Sequence, residues 1–518
     1  MKRTLTFLLF VAVLYSWAQP NPQTKKLTNK FFPELDIEIN TPAFQKKKGF
    51  TKYADLIGFL DSAVAHHPDL IQYSFIGSSQ KGNRIPSVQI TNSKSSKSKV
   101  KVWMQGGLHG DEPASTEGLL YLIDQLLEDP SKRVLLDDLV IRIIPMANID
   151  GFEKQNRYAA NGLDLNRDQT KLMAPESVFL KKAFHSFDPE VAVDFHEYRP
   201  FRRDFAKMSD WGVSSAFDVM FLYTGNLNVP KELRQLIEED FVDPAKKAMK
   251  ENQIRCSDYM STRNHHGEIQ FNVGAVSPRS SASSYALANC VSTLIEVRGV
   301  GIGRRSFKRR VFITSSVALS YLESSLKNAD KVKSILGAFE QRAVDPVVIK
   351  SKREVSSTTI PMIDIGSNEL IEMEIITRNA LHSKPSLQRD RPKAYLILPT
   401  EKDAMEKLKI LGLTIRELAS EQSIEVEAFT VSKYKRERFP YEGIHPQNIE
   451  TEQTTKQVSF PAGTYVVYLD QERSNLSVVV LEPEALSGFV HFEVIKTELA
   501  RELPIYRYIK QENIQGLK

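Results

Sequence analysis

His109-Gly110-Asp111-Glu112 sets an imidazole and a carboxylate three residues apart. A hydrolytic zinc site needs such groups, because the metal takes two or three neutral imidazoles or carboxylates and leaves a position for water. A further, free carboxylate must then take the proton that this water gives up. Taken alone the pattern is weak, since ten histidines and a glutamate frequency of roughly 7% give about 0.7 chance occurrences of H-x-x-E. His265-x-x-Glu268 is another occurrence, in the polar stretch Arg263-Asn264-His265-His266, and reads as a solvated loop. The first pair has a different frame. It follows a strand-like run, Val100 to Met104, and the turn Gln105-Gly106-Gly107-Leu108, and it precedes a helix running from Ala114 to Leu127. Both side chains are therefore expected at the carboxyl edge of a sheet, where ligands of open α/β proteins bind.

The other chemistry-bearing residues come in a fixed order. Asn148-Ile149-Asp150-Gly151-Phe152 is followed by Arg157 and by Asn161-Gly162-Leu163-Asp164-Leu165-Asn166-Arg167. Asp194-Phe195-His196 comes next, and Leu294-Ile295-Glu296-Val297-Arg298 last. As an ordered set over residues 50 to 340, these motifs resemble the zinc metallocarboxypeptidases of the carboxypeptidase A type, peptidase family M14. The resemblance implies one zinc ion per chain, bound by His109, Glu112 and His196, with a fourth position for water. It implies that Glu296 accepts a proton from the zinc-bound water and returns it to the leaving amine, a role worth about 10²–10⁴-fold in rate. Arg157 matches the arginine that stabilises the oxyanion of the tetrahedral intermediate. Asn166 and Arg167 match the pair that grips the substrate's terminal carboxylate, a task that suits the planar guanidinium fork.

The residues' own setting agrees with this. His196 ends the apolar run Val191 to Phe195, so it too projects from the carboxyl edge of a sheet. Glu296 lies in a buried-strand pattern, where an unpaired carboxylate costs several kcal/mol and needs a reason. A structural alternative is an ion pair with Arg298, two residues along and on the same face of the strand. Some positions depart from the family pattern. Asp111 stands between the expected ligands where many digestive relatives carry a basic residue. The family's mobile tyrosine, expected well before Glu296, has no clear counterpart, and Tyr285 is too near to be equivalent. Ser277 to Ser284 is expected to line the side-chain pocket, with Arg279 either favouring acidic residues or belonging to a solvated loop.

Positioning these groups requires a layered frame. Lys52 to Ala65 has helical spacing, and strand-like runs fall at Ile71-Ser74, Ser87-Ile90, Val100-Met104, Leu139-Ile144, Pro189-Phe195 and Ser292-Val297. Strands alternating with helices predict a three-layer α/β/α domain with a mixed central sheet over residues 45–344. A change of pattern near Asp345 predicts a smaller α+β or β-rich accessory domain over 345–518, of unassigned role. There Ala394-Leu398, Ile424-Val431, Thr464-Tyr468 and Leu476-Val480 read as strands, and Glu401-Leu411 as a helix. Tyr434, Phe439 and Tyr441 beside Lys435 and Arg436 are either core or a stacking surface.

The 518 residues are 41% hydrophobic and 26% charged, which excludes a mainly disordered or membrane-embedded chain. A net charge of +5, spread along the chain, argues against nucleic acid as a partner. Lys2 and Arg3, the apolar run Leu5 to Val13 and the small residues at Ser16 and Ala18 read as a signal peptide over residues 1–18, cleaved after Ala18. This places the protein in the periplasm or outside the cell, with no transmembrane span after cleavage. Cys256 and Cys290 are left either bridged or as two buried thiols. The expected function is removal of C-terminal amino acids from peptides bearing a free terminal carboxylate. The alternatives are a peptidoglycan stem-peptide amidase or carboxypeptidase of the same fold, and a non-catalytic peptide- or glycan-binding relative.

Overall fold

Eight strands build the central sheet. They are rich in Val, Ile and aromatic residues, which pack well on a pleated and largely buried surface. In the computed structural model, which describes residues 23–340 and 343–518, they are β1 (Ile71–Ser78), β2 (Arg84–Ile90), β3 (Val100–Gln105), β4 (Leu139–Ile144), β5 (Val191–Tyr198), β7 (Val219–Leu222), β8 (Cys256–Asp258) and β11 (Val291–Arg298). The signal peptide expected over residues 1–18 lies outside the described residues. The strand order is β1-β2-β4-β3-β5-β11-β7-β8. Parallel pairs in the middle (β4 with β3, β3 with β5, β5 with β11) join antiparallel partners on either side, so the sheet is mixed as expected. Strand β5 is buried at every position, the signature of a parallel strand covered on both faces.

Side-chain alternation along β5 shows the two covering layers. Asp194 faces the helix Ser281–Leu287, whose Ser281 hydroxyl donates to it at 2.5 Å. On that side Phe184, from the helix Pro175–Phe187, stacks on Tyr285 with ring centroids 4.1 Å apart. Glu197 points the other way. There it accepts from the backbone N–H of Ala114, at the start of the helix Pro113–Glu128, and from Arg310 on the helix Phe307–Lys327.

Two further sheets flank this unit. Strands β6 (Val213–Ser215), β9 (Met260–His265), β10 (Glu268–Val273), β12 (Val347–Asp364) and β13 (Glu369–Arg389) form one, in the order β6-β12-β13-β10-β9. It takes strands from both sides of residue 345. Close approach here depends on Gly225, where a Cβ would fall on the backbone of Ala380 in β13. The other sheet, β15-β18-β14-β19-β16-β17, holds β14 (Ala394–Ile397), β15 (Arg416–Glu417), β16 (Gln422–Arg436), β17 (Gln447–Phe460), β18 (Tyr465–Tyr468) and β19 (Glu502–Tyr508).

Two local expectations are corrected. Leu476–Val480 is not a strand but part of the helix Ser474–Leu481, in which all residues but Asn475 are buried. A short, mostly apolar run carries no period, and burial overrides the β-propensity of its three valines. The stretch around His265 and Glu268 is not a loop but the β9–β10 hairpin, its turn made by His266 and Gly267 in the left-handed region. Its histidines are exposed, in keeping with a solvated surface. Cys256 and Cys290 are both free thiols, Cys290 fully buried.

Candidate metal centre and substrate cleft

Two glycine-containing motifs fasten the first ligand pair in place. A Cβ on Gly110 would run into the backbone of Gly151 and Phe152, so the loop between β3 and its helix can nest there only with glycine at that position. Asn148 caps the single turn Ile149–Phe152 by accepting from the backbone N–H of Gly151 at 3.0 Å. Its amide also donates to the carbonyls of Leu108 at 3.4 Å and Arg157 at 3.3 Å. The Asn148–Phe152 motif is thus the bracket between the loop that carries His109 and the one that carries Arg157.

His109, Glu112 and His196 are brought together and buried. The two Nδ1 atoms face each other at 3.0 Å, with Glu112 Oε1 2.7 Å from His109 Nδ1 and Oε2 2.8 Å from His196 Nδ1. Behind them, His109 Nε2 lies 3.0 Å from Asp164 Oδ1, and His196 Nε2 lies 2.9 Å from Asp194 Oδ2. Carboxylates flank both nitrogens of each ring, Glu112 at Nδ1 and Asp164 or Asp194 at Nε2, so a cation that took the two Nδ1 lone pairs would leave the ring protons on Nε2, donated to the aspartates. Two lone pairs and a carboxylate facing one another are resolved by a divalent cation. Neutral imidazoles whose far N–H groups are held by carboxylates are also the usual outer arrangement of a zinc site. Burial works against the Glu112 charge, but His109 and His196 hold its carboxyl well below the usual range. The donor set of two imidazoles and one carboxylate fits zinc.

The remaining expected residues surround this cluster. Arg157 is clamped by Asp164, to which Nε donates at 3.0 Å and Nη2 at 2.7 Å, while Nη1 stands 3.5 Å from Glu112 Oε1. Glu296 pairs in register with His196 across β5 and β11. Burial, and then the charge of Glu112, push its carboxyl up to about 7. Asn166 is buried and accepts from the backbone N–H of Ser281 at 2.9 Å, and Arg167 donates through Nη1 to the Asn166 carbonyl at 2.8 Å. His109, Arg157, Asn166, Arg167 and Glu296 line one cleft of about 430 Å³. Ser277, Arg279 and Ser280 line it too.

The alternative partner for Glu296 is engaged elsewhere. Arg298 is buried against the Phe32 ring, 3.8 Å from its centroid, and bonds to Gln23. Tyr285 is a core residue whose hydroxyl donates to Gln105 at 3.0 Å. Sequence reasoning passed over Asp164 and Asp194 as the partners of the two imidazoles, although Asp194, two residues before His196 on a strand, necessarily shares its face. It also gave no reason to place Arg353, from beyond residue 345, on the wall of the cleft.

Residues 56–221 match the family model described as zinc carboxypeptidase. This stretch belongs to the zinc carboxypeptidase family. The carboxypeptidase domain makes the protein a peptidase, a hydrolase of the kind expected from its motifs. Carboxypeptidase 2 of Trichophyton rubrum is 29% identical over 498 residues, covering 92% of each chain. Carboxypeptidase D of Homo sapiens is 31% identical over 136 residues, 23% of this chain and 10% of that protein. Among solved structures, carboxypeptidase A from Helicoverpa armigera is similar at 18% identity and a TM-score of 0.43, covering 59% of this chain and 81% of that one. The matched stretch holds His109, Glu112, Arg157, Asn166, Arg167 and His196, while Glu296 comes to the carboxypeptidase site from β11, outside it. No helix among the described residues is long and apolar enough to cross a membrane.

Proposed function

We propose that the protein is an exported carboxypeptidase that removes C-terminal amino acids from peptides with a free terminal carboxylate. The observation that carries this reading is the convergence of His109, Glu112 and His196, with the far nitrogens of both rings held by buried carboxylates, at a cleft that His109 lines together with Glu296 and Arg167. One zinc ion would be held by these three residues, where it would supply Lewis acidity, lowering the pKa of water and drawing charge from a carbonyl oxygen. Glu296 takes the proton of the attacking water at a carboxylate oxygen and hands it to the amide nitrogen that leaves. Its place suits this exchange, because it lines the cleft beside His109 and pairs in register with His196, within reach of a water held at the cluster.

Arg157, fixed by its bidentate grip on Asp164, stabilises the oxygen that becomes negative as the carbonyl is attacked. Arg167 and Asn166 receive the terminal carboxylate and so restrict cleavage to the last peptide bond. Among the described residues Arg167 has no carboxylate ion-pair partner, and it lines the cleft, which leaves its fork for the substrate. Export rests on the leader at residues 1–18, with cleavage after Ala18. In this reading residues 45–344 form the catalytic unit and 345–518 an accessory one that helps to wall the cleft. The test is incubation of zinc-loaded protein with a peptide library and identification of the products. Stepwise loss of single C-terminal residues is expected; internal cleavage, or no cleavage with zinc bound, would contradict the proposal.

A further inference from the structure

Arg353 carries a charge that has no counter-ion among the described residues. It lies in β12 opposite the point where the register with β13 jumps from Lys352↔Lys384 to Glu354↔Asn379. Such bulges bend a strand and re-aim a side chain, often beside a functional site. The Arg353 side chain lines the same cleft as His109, Arg167 and Glu296. Its Nη1 is shut off from solvent yet meets no acceptor. Burial pushes its pKa down, and Arg378 and Arg263 push in the same direction, with no acidic group acting against them. Among the described residues, Arg378, on β13, also has a buried Nε without an acceptor, and the side chain of Arg263, on β9, meets the ring of His265 at 3.0 Å. Leaving a buried donor unmet is costly, more so for a charged group, and three guanidiniums gathered together add repulsion to that cost.

Another arginine that lines the cleft, Arg279, also lacks a carboxylate partner among the described residues. Arg279 donates through Nη1 to the hydroxyl of Tyr441 at 2.7 Å, a neutral partner. The nearby acids are already engaged: Asp164 by Arg157 and His109, and Glu442 by the backbone N–H of Asp164 at 2.8 Å. Among the described residues, the carboxylates lining the cleft are Asp111, Glu197 and Glu296, and Glu197 is tied to Arg310. Beyond the residues assigned to catalysis and to the terminal carboxylate, the cleft wall is therefore strongly cationic.

We propose that the cleft selects acidic peptides, with a side-chain carboxylate near the substrate's C-terminus received by Arg353 and favoured by the charges of Arg263 and Arg378 behind it. A carboxylate matches the guanidinium fork and meets the donors that the fold leaves open. This subsite rests on the carboxypeptidase reading, since the peptide reaches it only when seated in the same cleft. It assigns the segment beyond residue 345 a part in substrate choice, because Arg353 and Arg378 both come from it.

The test is kcat/KM of the zinc-loaded full-length protein on peptides in which one Glu is moved through the last four positions, each compared with its Gln counterpart. At one or more positions the Glu peptide is expected to be preferred by at least about tenfold, the scale of one charge-assisted hydrogen bond. The preference should shrink with added salt. Arg353→Gln should abolish it, mainly through KM, without lowering the melting temperature, because the change removes a half-buried cation that has no counter-ion among the described residues. Arg353→Lys should retain part of it. Equal cleavage of Glu and Gln peptides at every position overturns the proposal, as does a preference that survives Arg353→Gln. If zinc is bound and neither set is cleaved, the carboxypeptidase reading fails first and the subsite falls with it.

Discussion

At the scale of single residues, the cluster of His109, Glu112 and His196 is backed by Asp164 and Asp194, which face the far nitrogens and would hold the ring protons there once a cation took both Nδ1 lone pairs. Asp194→Asn keeps the volume and removes the charge, and it is expected to weaken zinc binding by about 10–100-fold, as outer-shell changes do. Competition with a calibrated chelator measures this. Glu296→Gln is expected to lower kcat by about 10²–10⁴-fold while the protein still binds zinc stoichiometrically. Loss of the metal from this variant would mean that Glu296 is a ligand. That His109, Glu112 and His196 come together was expected from the resemblance of the ordered motifs, with support from the strand, glycine turn and helix around His109 and Glu112 and from the apolar strand that His196 ends. The two aspartates were not legible in the sequence, since an aspartate before a histidine is common and only the backbone path brings Asp164 to His109.

At the scale of elements, the strands of the central sheet could be read from their apolar runs, whereas Leu476–Val480 could not be told from a strand because it is buried nearly all round. The helix Pro175–Phe187 offers a separate test. Its Lys181 is fully buried, donates to Ser284 Oγ at 2.7 Å, and has its pKa pushed down by burial to about 7. In the unfolded chain a lysine titrates near 10.4, so between about pH 7 and pH 10 the unfolded state holds more protons than the folded one. Stability from this group therefore rises with pH across that window, by up to about 1.4 kcal/mol per unit, and falls as pH drops toward 7. Denaturant titrations at pH 7 and pH 9 should show Lys181→Met gaining on the wild type at pH 7 and losing that advantage at pH 9. An equal difference at both values would contradict a deprotonated, buried lysine.

At the scale of the whole molecule, the change of pattern near Asp345 was visible in the sequence, but not that the chain beyond it returns to the catalytic unit. Pairing of β12 with β6 and of β13 with β10 joins strands far apart in sequence, and no local pattern encodes such partners. Ile360, Met362 and Ile375 pack there on Tyr198, Phe205, Val213 and Phe271. Truncation after residue 344 would uncover this apolar surface and the open edge of β10, so the shortened chain is expected to aggregate or unfold without a sharp transition. Size-exclusion chromatography and thermal melting would show it, and a monomeric, cooperatively folding fragment would contradict the packing.

The central claim, hydrolysis of the last peptide bond, depends on Arg167 and Asn166 meeting a free carboxylate. Its most direct test is mass spectrometry of one peptide presented with either a free or an amidated C-terminus to the zinc-loaded protein. Release of single residues from the free form, with the amidated form left intact, is the predicted result. Equal cleavage of both would contradict it.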